Sequence, residues 1–178
     1  MLRSSLFRAL ALGLFLPVFA VAQTPDERVE TLGLTLPPAP NPIANYVTAV
    51  QDGDVLHLSG HLACPESGWH KRYEGQLGNG RTIEEGYGAA RETGLCLLST
   101  LKRVLGSLNR VERVIQVRGY VNAAPGFTDH SKVVNGVSDL LVEVFGESGK
   151  HVRAALGMSS LPRGAMVEIE MSVALTDE

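Results

Sequence analysis

The sequence predicts a single α+β domain, a mixed β-sheet with two amphipathic helices packed on one of its faces. Three observations predict it. Residues 82–105 and 128–145 carry apolar side chains at helical spacing. The segments around them are short apolar runs, or alternate apolar with polar residues, and are bounded by turn signals, as strands are. The resulting order, β-β-(β)-α-β-α-β-β, fits two helices on one face of a sheet, with the other face left for something else to cover. A length of 178 residues, 44% hydrophobic and 20% charged, is enough for one packed core and shows no internal repeat.

The amino-terminal stretch differs from the rest. Arg3 and Arg8 precede an apolar run from Leu10 to Val18, and Ala20-Val21-Ala22 supplies a small-x-small cleavage pattern. This order is that of a secretory signal peptide over 1–22, and the run is shorter than the ~20 residues that span a bilayer. The expectation is export, periplasmic or secreted, with no membrane attachment after cleavage. The net charge of −3 becomes more acidic once Arg3 and Arg8 are lost. Nucleic acid is not an expected partner, because phosphate recognition calls for clustered Lys and Arg.

Residues 23–43 read as a short helix and an arm. Thr24, Pro25 and Glu27 form an N-cap, a first-turn proline and a capping box, with Gly33 as the stop. Four prolines between Leu36 and Pro42 predict an extended arm. The remaining domain, 44–178, opens with strands at Tyr46–Val50 and Val55–Ser59 around an Asp52-Gly53 hairpin turn. A polar loop follows, in which Trp69 and His70 are candidate ligand contacts or, more simply, a rim. Tyr73–Leu77 fits a short strand. Thr82 and Glu85 cap the first long helix, and Gly106 ends it. Ile115, Val117, Gly119 and Val121 alternate with polar neighbours as a half-buried strand. The second helix, Thr128–Phe145, ends at Gly146. Val152–Gly157 and Met166–Ala174 then read as a carboxy-terminal hairpin turning at Leu161–Gly164.

Chemistry-bearing motifs are few. His57 and His61 lie ~13 Å apart on an extended strand, too far to share an ion easily, and no third ligand accompanies them. No phosphate-binding loop or nucleophile elbow is present. Cys64 and Cys96 are the two cysteines. An exported chain would permit a bridge, but the apolar helical setting of Cys96 favours a buried free thiol. Arg153 stands out, being a cation in an apolar strand that must find a partner. It either makes a structural ion pair across the hairpin with Glu168 or Glu170, or offers its fork of donors to a ligand carboxylate.

Several phrases resemble the Rid (YjgF) family. Ala44-Asn45-Tyr46-Val47 and Leu56-His57-Leu58-Ser59-Gly60-His61 are similar to its opening signatures, and HVRAALGMSSLPRGAMVEIEMSVAL to its closing one. VNGVSDLLVEVFG resembles the second helix of one branch of the family. The resemblance covers roughly Leu32–Leu175. It implies a chorismate-mutase-like homotrimer with ligand clefts between subunits and no cofactor. It also implies hydrolysis of 2-imino or 2-enamino acids to 2-keto acids and ammonia, the alternatives being capture of a small metabolite without turnover or, less fittingly, ribonuclease activity. By the same resemblance Arg153 would bind the substrate carboxylate and Glu168 would hold the attacking water. Tyr46, Ser59 and Asn135 would line the cleft. His61 stands where the family usually has Gln, and Ala155 where some members carry Cys.

Overall fold

A computed structural model describes residues 23–64 and 71–177; the proposed signal peptide and the Trp69-His70 pair lie outside them. The chain begins with α1 (Pro25–Thr31), and the Thr24–Glu27 capping box is formed in both directions. The first hairpin comprises β1 (Ala49–Asp52) and β2 (Val55–His61). Gly53 takes the first of its two loop positions at φ 62°, where a side chain would be strained. Two-residue strands β3 (Gln76–Leu77) and β4 (Gly80–Arg81) precede α2 (Ile83–Leu105), so the Tyr73–Leu77 strand is confined to its end. Then come β5 (Val111–Asn122), α3 (His130–Phe145), β6 (Val152–Met158) and β7 (Val167–Leu175).

The five-stranded sheet runs β1-β2-β7-β5-β6, antiparallel except for the β5–β6 pair. The parallel pair follows from the β5-α3-β6 crossover, since parallel neighbours need a long connection. This order corrects the carboxy-terminal hairpin: β6 and β7 are not paired, because β5 lies between them. The last strand instead inserts between β2 and β5 at the centre of the sheet. Its alternation suits that position, with Val167, Ile169, Met171, Val173 and Leu175 all buried on the helix side.

Both long helices cover that side. They approach closely at Gly136, where a Cβ would lie 2.1 Å from the Tyr87 carbonyl oxygen. A glycine inside a helix costs about 1 kcal/mol in propensity relative to Ala, here offset by the contact. The outer faces are joined by Arg91–Glu143 at 2.7 Å and Tyr87 Oη donating to Asp139 at 2.9 Å.

The opposite sheet face is not the bare apolar surface implied by a one-sided sheet. Its centre carries His57, Gln116, Arg118, Glu168, Glu170 and Ser172. Arg118 and Tyr120 Oη both donate to Glu170, and exposed apolar residues sit towards the edges, at Val50, Val152 and Leu156. Within β5, register shifts flank Val114, so Val114 and Val117 reach the core while Ile115 does not.

The two cysteines form a bridge, which corrects the free-thiol reading. His61 ends β2 by placing Nε2 2.8 Å from Thr100 Oγ1 on α2. Three residues on, Cys64 meets Cys96, one helical turn before Thr100 on the same face, with Cα atoms 5.9 Å apart. The apolar setting of Cys96 did not discriminate, because a disulfide is itself apolar enough to be fully buried.

Candidate functional site

The predicted residues fall into two groups on opposite faces of the sheet. The first gathers around the end of β2. Tyr46 and Ser59 line a cavity of about 430 Å³ walled by the proline-rich arm, by Gly60–Cys64 and by Arg163. The arm is held by Arg103, whose guanidinium donates to Ala39 O (3.1 Å), Asn41 Oδ1 (3.2 Å) and Thr48 Oγ1 (2.8 Å). Ser59 Oγ is buried without a hydrogen-bond partner among the described residues.

Glu168 belongs to this group through Gly60. The β2–β7 register shifts between Leu58 and His61, and in the resulting bulge the carboxylate of Glu168 lies over Gly60. A Cβ on Gly60 would meet Glu168 Oε1 at 2.2 Å. Burial, and secondarily the charge of Glu170, push the Glu168 carboxyl above the usual 4.5. Among the described residues it forms no hydrogen bond or ion pair, whereas Glu170 is engaged by Arg118 and Tyr120.

The second group is centred on Arg153 at the β6 edge. Arg153 pairs in register with Val117, so it points to the helix side, whereas Glu168 pairs with Tyr120 on the open side. Neither alternative ion pair forms. Arg153 Nη1 instead donates to Asn135 Oδ1 at 2.8 Å and Ser138 Oγ at 3.0 Å, both on α3. Asn135 and Arg153 are thus brought together as expected, and apart from Tyr46, Ser59 and Glu168. β2 lies three strand spacings, about 14 Å, from β6, and Glu168 on β7 lies two spacings, about 10 Å, from it and on the other face.

Sequence reasoning missed Ser138, His151, Gly60 and Arg103. The Ser138–Arg153 contact had a faint signal, since Asn135 and Ser138 are three apart and share a helix face. Arg163 was named only within a turn. It has φ 59° and sits at the cavity rim, in a loop pinned by Gly75 N to Gly164 O (2.9 Å) and Met166 N to Tyr73 O (2.8 Å). His57 and His61 have separate partners, with His57 Nδ1 3.0 Å from Ser172 Oγ. His61 is held below its ordinary pKa by burial and by the charge of Arg103.

A five-stranded sheet of this order with two helices on one face defines a chorismate-mutase-like α+β protein. The profile described as "YjgF/chorismate mutase-like, putative endoribonuclease" matches residues 26–173, and the chain belongs to this family, also called Rid. It is 43% identical to Protein TCP17 of Trypanosoma cruzi over 84% of this chain and 92% of that one. It is 28% identical to a 2-iminobutanoate/2-iminopropanoate deaminase of Dermatophagoides farinae, over 80% of this chain and 94% of the relative. Among solved structures, a "putative endoribonuclease" from Shewanella oneidensis superposes with a TM-score of 0.81 at 31% identity, covering 86% of this chain and all of that one.

Proposed function

We propose that this protein hydrolyses 2-imino or 2-enamino acids to 2-keto acids and ammonia, at clefts formed between copies in a homotrimer outside the cytoplasm. The observation that carries the reading is the state of Arg153. Both hydrogens of Nη1 are directed to Asn135 and Ser138, so the Nε–Nη2 edge of the guanidinium remains for a ligand. That edge is a planar fork matched to a carboxylate.

The deaminase relative supports the chemistry, and the separation of the two groups supports the assembly. Arg153 and Asn135 of one copy would face Tyr46, Ser59 and Glu168 of the next, completing a cleft that one chain leaves in halves. With the substrate carboxylate on Arg153, the imine carbon stands towards Glu168. Glu168 takes a proton from water as the oxygen adds to that carbon and the C=N π bond opens. Glu168 returns that proton to nitrogen to give the carbinolamine. It then takes the hydroxyl proton and delivers it to nitrogen as the C=O bond forms and the C–N bond breaks, so the 2-keto acid and ammonia leave. A raised pKa suits this double role, since a carboxyl nearer working pH both accepts and returns a proton. An imine is electrophilic already, so orientation and one activated water carry the reaction.

The test is ammonia release from 2-iminopropanoate, generated in place by an amino-acid oxidase, by residues 23–178. Arg153→Ala should abolish productive binding, and Glu168→Gln should bind pyruvate yet lose turnover. A folded trimer that binds pyruvate but accelerates nothing would replace hydrolysis with metabolite capture.

A further inference from the structure

The geometry points to His151 as a positioning residue that acts through Ser138 to fix the Arg153 guanidinium for a carboxylate ligand. This rests on the reading of Arg153 as the carboxylate clamp. His151 Nδ1 lies 2.7 Å from Gly149 O, and a carbonyl can only accept, so Nδ1 carries the ring proton. Burial, and secondarily the charge of Arg153, hold this imidazole below its ordinary pKa, which keeps Nε2 an acceptor near neutral pH.

Nε2 lies 3.1 Å from Ser138 Oγ, so the serine hydroxyl donates to it. The direction of that bond settles the rest. With its hydrogen committed to His151, Ser138 Oγ turns its lone pairs to Arg153 Nη1 at 3.0 Å, beside Asn135 Oδ1 at 2.8 Å. A serine free to rotate would present its own hydrogen to the cation part of the time. The chain Gly149–His151–Ser138–Arg153 therefore starts from the backbone of the 3₁₀ turn after α3 and ends at the clamp. An arginine with two positions of its head group defined loses less freedom on binding than one swinging from an exposed edge strand.

The experiment is an NMR titration of the folded protein with pyruvate, and with the uncharged pyruvamide as control. His151→Leu should weaken pyruvate about tenfold, the equivalent of ~1.4 kcal/mol, and change pyruvamide little. His151→Gln, whose amide can donate to Gly149 O and accept from Ser138, should restore the parent affinity. Ser138→Ala should weaken pyruvate as His151→Leu does, and adding His151→Leu to it should cost nothing more. Parent-like pyruvate affinity in both His151→Leu and Ser138→Ala, with Arg153→Ala defective, overturns the positioning role alone. Additive losses in the double variant also overturn it, because His151 would then act by another route. Unchanged affinity in Arg153→Ala removes the clamp and the inference together.

Discussion

Replacing Gly60 with Ala tests the placement of Glu168 without touching the carboxylate. The added Cβ would lie 2.2 Å from Oε1, 3.0 Å from Cδ and 3.2 Å from Cγ of Glu168. Oε1 must retreat by about 1 Å to reach ordinary contact, and a misplacement of that size costs on the order of 100-fold in rate. The obstacle is the free end of a flexible side chain, and Gly60 is not among the positive-φ glycines. The fold should therefore tolerate the change, and a compatible Gly→Ala replacement even adds about 0.4–1 kcal/mol through the unfolded chain. Rate, not stability, decides the matter. The assay pairs ammonia release from 2-iminopropanoate with thermal unfolding and pyruvate affinity. The expected result is turnover down about 100-fold with Tm and pyruvate binding kept. Parent-like turnover would refute the claim that the seat over Gly60 sets the position of the working carboxylate.

Other consequences follow from burial and cross-linking. Reducing Cys64–Cys96, whose cysteines are 32 residues apart, should cost about 3–4 kcal/mol by the chain-entropy argument, seen as a lower urea midpoint with dithiothreitol. The raised Glu168 pKa means the native state holds its proton after the unfolded state has released it. Stability should thus fall as pH rises from about 4.5 through the native pKa, and Glu168→Gln should abolish that fall. The acid limb of the rate profile should lie above the usual carboxylate range for the same reason. His61 has the opposite sign: its pKa is lowered, so stability should be lost as pH falls from about 6.5, and His61→Gln should flatten the loss in denaturant melts at pH 5 and 7. Light scattering should return three times the monomer mass.

What the sequence made legible was local. Both capping boxes, the two helices, the Gly53 turn and the ends at Gly106 and Gly146 depend on residues within a few positions of each other. Strand partners do not. Val152–Gly157 and Met166–Ala174 read as a hairpin because they are consecutive, yet β7 crosses to lie between β2 and β5. That one displacement moves Arg153 away from Glu168 and Glu170, to the other side of the sheet. The bulge that seats Glu168 was equally hidden, since a register shift is a property of two strands. The resemblance nominated Arg153, Asn135, Tyr46, Ser59 and Glu168, while their division into two groups became visible only in three dimensions. The disulfide was missed because helix periodicity says which face Cys96 occupies, not what crosses it.

The central claim is that each site is shared between two copies, and mixed trimers test it most directly. Arg153→Ala and Glu168→Gln chains, each inactive as a homotrimer, would be co-expressed with different tags and the doubly tagged species purified. An interface that takes Arg153 from one chain and Glu168 from the other is then intact. Every doubly tagged trimer has one interface of its three that takes Arg153 from the Glu168→Gln chain and Glu168 from the Arg153→Ala chain. About a third of the parent sites should therefore be restored, and ammonia release should recover accordingly. Mixed trimers as inactive as either homotrimer would contradict the account, placing both residues' work within a single chain.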